Sequence, residues 1–118
     1  MKTIARAFPV KSKEDIKQFA NEIDRDWSEA QKALFFEQFG INGSEHWFYQ
    51  QIEGKDYVVS TVCVEDPERG FAFLQSSDDP FAAWFRQRVL EITGVSLAER
   101  ARGPEVEALY AFQANPQG

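Results

Sequence analysis

His46 and Tyr49 are the residues of this chain whose types best suit proton transfer. They lie three residues apart in the segment EHWFYQQI. An imidazole titrates near neutral pH and a phenol can exchange a proton, so we expect either residue to handle a proton if the protein is an enzyme. The alternative is a histidine at the edge of a strand, because a single histidine outside any cluster of carboxylates or thiols is typical of a structural position.

Arg6 is a charged residue in an otherwise apolar stretch. It falls within a predicted strand, Thr3–Lys11, on the same face as Phe8 and other apolar side chains. Burying a lone charge is very costly, so this guanidinium needs a partner. One interpretation is an ion pair with Glu105 or Glu107 on a neighbouring strand. The other is that Arg6 anchors an anionic small molecule.

Trp27 and Trp84 are candidates for lining an apolar ligand pocket together with Tyr49. Both tryptophans also fall at core-facing helical positions, so ordinary packing is the alternative interpretation. Asp78 and Asp79 are better explained by helix capping than by metal binding. We find no zinc spacing, phosphate-binding glycine loop or nucleophile elbow, and we predict neither a metal nor a cofactor.

The composition is that of a globular domain with an acidic surface. The 118 residues carry a net charge of −6, and 43% of them are hydrophobic. This charge argues against a nucleic-acid partner, which requires a basic surface. No stretch approaches a membrane span, and the first residues lack the apolar core of a signal peptide. With Cys63 as the one cysteine, we expect a cytoplasmic protein.

The segment Glu45–Glu65 predicts a β-hairpin with a tight turn at Glu53–Asp56. Its second arm, YVVSTVCVE, is suited to burial on both of its faces. A strand of this kind belongs in a sheet that is covered on both sides. The chain has helices for one cover, so we expect a second copy of the chain to cover the other face.

Helices and two further strands account for the rest of the chain. A long helix is predicted over Ser12–Phe39, with either a kink near Asp26–Ser28 or a distal half whose Phe35, Phe36 and Phe39 pack on something beyond the local sheet. The remaining predicted elements are a short helix over Pro67–Gln75, a helix over Pro80–Thr93 and a last strand over Glu105–Gln113. We therefore expect one domain over residues 1–113, followed by a flexible tail over 114–118.

This order, β-α-β-β-α(α)-β, predicts an α+β fold of the ferredoxin-like type. Such a fold has a four-stranded antiparallel sheet with helices on one face. Its spatial strand order, 4-1-3-2, places the first and third strands at the centre. The strand that is apolar on both faces, Tyr57–Val64, is then central.

The topology, the helix start PVKSKED and the helix SDDPFAAWFRQRVLEITG resemble those of the dimeric α/β-barrel superfamily. The resemblance is to small uncharacterised bacterial members, related to the antibiotic-biosynthesis monooxygenases and the stress-responsive barrel proteins. It implies a homodimer whose two sheets face each other. It also implies a cleft between the sheet and the helices of each subunit.

Two hypotheses on function follow. The first is a homodimeric protein without catalysis that binds a small apolar or anionic metabolite in the cleft. The second is a cofactor-independent monooxygenase or isomerase for an aromatic or polyketide-like substrate, in which Arg6 anchors the substrate and His46 or Tyr49 handles a proton. We favour the first, because the residues suited to chemistry are few and scattered.

Overall fold

Three β-strands and four α-helices make up this α+β protein, seen in a computed structural model that describes residues 2–100, 103 and 105–112. The elements in chain order are β1 (Lys2–Pro9), α1 (Lys13–Asp26), α2 (Glu29–Phe39), β2 (Ile41–Ile52), β3 (Lys55–Val64), α3 (Pro67–Ser76) and α4 (Pro80–Thr93).

The three strands form one antiparallel sheet in the spatial order β1-β3-β2. The predicted hairpin is confirmed as β2 and β3. Its turn places Glu53 at φ 51° and Gly54 at φ 79°, and two successive positive φ angles suit the right-handed twist of the strands. The predicted central position of the apolar strand is also confirmed, because β3 pairs with both other strands.

Strand β2 begins earlier than predicted, at Ile41 instead of Glu45. Its pairing with β3 shifts in register between these two residues, and Gly43 in the shifted stretch adopts a φ of +91°. Such irregularities re-aim the side chains that follow them. Glu45 is the first residue of β2 that pairs with β3 after this irregularity.

The predicted long helix is two helices. Helix α1 ends at Asp26, and Ser28 starts α2 with a capping box, in which its hydroxyl accepts from the Gln31 backbone N–H and the Gln31 side chain accepts from the Ser28 N–H. The break lies where the kink was expected. Each of the two hydrogen bonds of this capping box satisfies a backbone N–H that a helix start leaves without a partner.

All four helices contribute to one core on one face of the sheet. Asp66 and Asp79 cap α3 and α4, each followed by a first-turn proline. Side chains of Val58, Val62 and Val64 on β3 are buried in the same cluster as the phenylalanines of the helices. Hydrophobic burial on this face is the main source of stability.

The prediction of a four-stranded ferredoxin-like sheet is wrong. Residues 105–112 form no strand, and all of them are exposed, while Gln113 and the predicted tail over 114–118 lie outside the described residues. Alternating apolar residues indicate an extended chain, but a strand also needs an edge with which to pair. The chain reaches this segment past Gly103, which lies so close to the Phe8 ring that an added Cβ would be 2.6 Å from Cε1.

The opposite face of the sheet is open in the part of the chain that the structure describes. On β3 it presents Val59, Thr61 and Cys63, which are half-buried, and on β2 it presents His46 and Phe48, which are exposed. Phe48 leaves 54% of its surface open to solvent. This face therefore carries apolar surface that the described helices leave uncovered.

Candidate functional site

A row of polar side chains crosses the helix-covered face of the sheet. The strand register places Arg6 of β1 opposite Ser60 of β3, and Ser60 opposite Trp47 of β2. Glu45 lies two residues before Trp47 and so points to the same face. Three strands thus bring an arginine, a serine, a tryptophan and a glutamate to one place beneath the helices.

Arg6 is held between two aromatic rings. Its guanidinium carbon lies 5.3 Å from the centre of the Phe8 ring and 5.2 Å from that of Phe71, and the residue is only 6% exposed. Burial lowers the pKa of Arg6, and the nearby charge of Glu45 partly opposes this effect. The guanidinium is therefore stabilised by ring faces and by a carboxylate on a different strand.

Glu45 is the acidic member of this row. The Trp47 indole Nε1–H donates a hydrogen bond of 2.6 Å to its Oε2 atom. Burial raises the pKa of Glu45, while the Trp47 bond, the charge of Arg6 and the Ser60 hydroxyl act to lower it. Desolvation is the strongest of these effects, so the carboxyl holds its proton more tightly than an exposed glutamate does.

Ser60 is 4% exposed, and its hydroxyl faces an inner cavity of about 40 Å³. The hydroxyl lies near enough to Glu45 to affect its pKa, yet its oxygen makes no hydrogen bond of good geometry to any described residue. Arg6 and Glu45 line the same cavity. A space of this size has room for roughly two or three water molecules, which would satisfy the hydroxyl.

A larger groove lies on the other side of Glu45, between the sheet and the first two helices. It has a volume of about 270 Å³. Its walls are mostly aromatic and aliphatic, and are formed by Ala20, Ile23, Asp24, Phe35, Phe36, Glu45, Trp47, Phe81 and Phe85. We call it the outer groove. Glu45 and Trp47 line both this groove and the inner cavity, and we call this shared wall the inner end of the groove. Because it carries a polar pair, the groove can take an apolar body with one polar group.

Trp27 and Trp84 pack within the aromatic core. Trp27 stacks on Phe81, with ring centres 5.1 Å apart, and lies 5.3 Å from Trp84. Trp84 also contacts the edge of Phe19. Offset and tilted ring pairs of this kind stabilise a core. Neither tryptophan is among the residues that line the outer groove.

His46 and Arg6 lie on opposite faces of the sheet. The His46 side chain is exposed on the open face, where its ring stacks on Phe48 at 6.1 Å. Because side chains alternate along a strand, the one-residue offset from Glu45 places His46 on the side away from the helices. The structure therefore does not bring the predicted proton carrier and the predicted anchor together.

Tyr49 lies towards the hairpin turn, apart from the polar row. Its hydroxyl donates a hydrogen bond of 2.6 Å to Asp56 Oδ1, and this bond raises the pKa of Tyr49. The Lys13 ammonium lies 5.6 Å from the centre of its ring. These contacts tie the end of the hairpin to the start of α1. The catalytic roles of Tyr49 and His46 stay predictions.

Sequence reasoning missed Glu45 and Ser60. It identified Arg6 as a charge in need of a partner and expected that partner at Glu105 or Glu107. These two glutamates line, together with Arg6, a separate groove of about 980 Å³ beside β1, and the ion pair stays a prediction. A usable signal was that EHWFY places Glu45, Trp47 and Tyr49 on one face of a strand. A glutamate on an otherwise aromatic face of a strand is as costly to bury alone as Arg6, so it also needs a partner.

Metal-binding groups of three or more histidine, cysteine, aspartate or glutamate side chains do not occur in the described ranges. None of the helices described is long and apolar enough to cross a membrane.

Comparisons with protein-family models, with curated proteins and with solved structures each found no match to this chain. The resemblance to dimeric α/β-barrel proteins therefore stays a prediction. Arguments about function rest on the site.

Proposed function

We propose that this protein binds a small, mainly apolar molecule in the outer groove between the sheet and the helices. The observation that carries the proposal is the position of Glu45 and Trp47 at the inner end of a groove with aromatic walls. Ligand sites commonly combine an apolar cleft with a few polar groups and a residue of altered pKa.

The volumes of the two spaces favour the outer groove over the inner cavity. About 270 Å³ accommodates a molecule built on one or two rings, whereas about 40 Å³ accommodates only water. Arg6 lines the inner cavity and the groove lining does not include it. In this proposal Arg6 balances the charge of Glu45, and an apolar ligand is favoured over an anionic one.

The enzymatic alternative lacks a shared site in this arrangement. A monooxygenase or isomerase that used Arg6 and His46 on one substrate would need both side chains in one pocket. Arg6 and His46 point to opposite faces of the sheet. Tyr49, the other predicted proton carrier, lines neither the inner cavity nor the outer groove, and its hydroxyl donates to Asp56. The proposal is therefore binding without catalysis.

The binding proposal can be tested with indole, a neutral molecule of one fused ring system, titrated into ¹⁵N-labelled protein. We expect saturable shifts of the Trp47 indole signal. Ala20 lines the groove on α1, so Ala20→Phe fills it and abolishes the shifts. Asn21 is exposed on the same helix and lies outside the lining, so Asn21→Phe is the matched control and retains them. Equal binding by the two variants would contradict the proposed location.

We also propose that two copies associate through the open face of the sheet, in the reduced cytoplasm. Exposed Phe48 and half-buried Val59 and Cys63 support this, because apolar surface on a sheet face is stabilised by burial against a partner. Light scattering tests the association against the 13.5 kDa mass of one copy. We expect twice that mass, and we expect Phe48→Glu to restore the mass of one copy. A wild-type mass of one copy would refute the dimer.

A further inference from the structure

Both charged side chains that line the outer groove are carboxylates. Asp24 lies on α1, with 83% of its side chain exposed, and Glu45 lies at the inner end. Lys32 approaches Asp24 at 3.4 Å, but it makes its shorter contact, 2.7 Å, with Glu29. The charged side chains of the lining are therefore both acidic, which favours a cation over an anion.

The walls of the groove are also suited to a cation. Four phenylalanines and Trp47 contribute to the lining, and aromatic ring faces attract ammonium groups that have lost part of their water. Phe35 and Phe81 are each only 2% exposed, so rigid packing holds these rings. Their ring centres lie 5.0 Å apart, which leaves no room for a ligand between them. An ammonium group would instead lie against the accessible ring of Phe36, which is 41% exposed, and then reach the carboxylate.

We propose that the ligand of the outer groove is a protonated amine on a ring-sized apolar body, with its ammonium group bound to Glu45 and its ring between the aromatic walls. This inference rests on the proposed function, since it names the chemical class of molecule that the same groove takes. Glu45 determines the specificity, and the Trp47 N–H holds the Glu45 Oε2 atom in position by the 2.6 Å hydrogen bond.

Binding of an ammonium group at Glu45 should be coupled to the protonation state of this carboxyl group. An ammonium group at Glu45 supplies the nearby positive charge that favours the ionised carboxylate, so binding releases a proton wherever Glu45 was protonated beforehand. The charged groups around Glu45 are Arg6 from β1 and Asp24 from α1, while α2, α4 and β3 present phenylalanines and Ser60. The affinity for an amine should therefore rise as the pH rises through the pKa of Glu45.

Three probes with the same ring test the proposal: phenethylamine, phenethyl alcohol and phenylacetate. Near neutral pH we expect the affinity for the amine to be at least roughly tenfold higher than that for the alcohol. One hydrogen bond between charged groups contributes about this much to the free energy of binding. Phenylacetate should bind more weakly than the alcohol. Glu45→Gln should reduce the affinity for the amine to that for the alcohol and should remove its pH dependence.

A second variant guards against misfolding of Glu45→Gln. Asp24 is exposed, so Asp24→Lys should fold normally and should weaken the amine several-fold while leaving the alcohol unchanged. Equal affinity for the amine and the alcohol, in protein that still binds indole, would overturn the amine specificity and leave the proposed function standing. Failure of indole and of all three probes to bind would overturn both.

Discussion

The charge interaction between Arg6 and Glu45 makes a prediction about stability that a double-mutant cycle can test. Arg6→Met keeps an unbranched side chain between the Phe8 and Phe71 rings but removes the charge. Removing one partner of a buried charge pair costs about 3–5 kcal/mol, since the other charge stays buried. In a Glu45→Gln background that charge is absent, and the cost falls to the lost contact with the rings, about 1–2 kcal/mol. The expected coupling energy between Arg6 and Glu45 is the difference between these two costs of Arg6→Met, about 2 kcal/mol.

The coupling should also depend on pH. Burial raises the folded-state pKa of Glu45 above its unfolded value, so its contribution to stability is full below the unfolded pKa and is lost as the pH rises through the folded pKa. Without Arg6 the folded pKa rises further, because the charge of Arg6 acts to lower it. Arg6→Met should therefore lose more stability than wild type between about pH 5 and pH 8.

Urea unfolding of the wild type, both single variants and the double variant gives the four free energies that the cycle needs. We expect the coupling to be larger at the higher pH, and the double variant to show no extra loss of stability over that range. Additive effects, within about 0.5 kcal/mol at both pH values, would show that the two side chains do not interact and would refute this account of the site.

Two further predictions concern the framework around the site. Gly70→Ala places a Cβ against the Phe39 carbonyl oxygen, so it should destabilise the protein by about 1–3 kcal/mol even though alanine favours a helix. A gain in melting temperature would contradict the close contact of α2 and α3. Ser28→Ala removes the capping box of α2 and should cost about 1 kcal/mol in urea unfolding, whereas the exposed Ser44→Ala control should stay within about 0.5 kcal/mol of wild type. Equal effects of the two serine variants would contradict the cap.

Short-range chemistry was sufficient to predict much of the local structure. The aspartate–proline pairs at Asp66 and Asp79 predicted the starts of α3 and α4, and the turn at Glu53–Asp56 fixed the hairpin and with it the position of β3. The break near Asp26 followed from helix length alone. These features depend on residues a few positions apart, which is where sequence patterns are most informative.

The fourth strand could not be predicted from such patterns. Val106, Tyr110 and their alternating neighbours are typical of a strand, but whether a segment pairs depends on the path of the chain towards a free edge. On its way the chain passes the Phe8 ring at Gly103, and these two residues are almost the full length of the chain apart. Contacts at this separation leave no local signal.

The error in the strand order also explains why Glu45 was missed. Arg6 was expected to face a last strand, so its partner was sought at Glu105 and Glu107. In the order β1-β3-β2 the row beside Arg6 continues through Ser60 to Trp47 and Glu45 instead. The need for a partner was predictable from the cost of burying a charge, whereas the identity of the partner depended on the tertiary pairing.

The most direct test of the account is a titration of ¹⁵N-labelled protein with phenethylamine, followed at the tryptophan indole signals. The chain has three tryptophans, and Trp47→Phe identifies the signal of Trp47. We predict saturable shifts of that signal and of the Glu45 backbone amide, with little change at the Phe48 amide. Shifts confined to Phe48 and its neighbours on the open face, or no saturable shift at all, would contradict the claim that the groove at Glu45 is a ligand site.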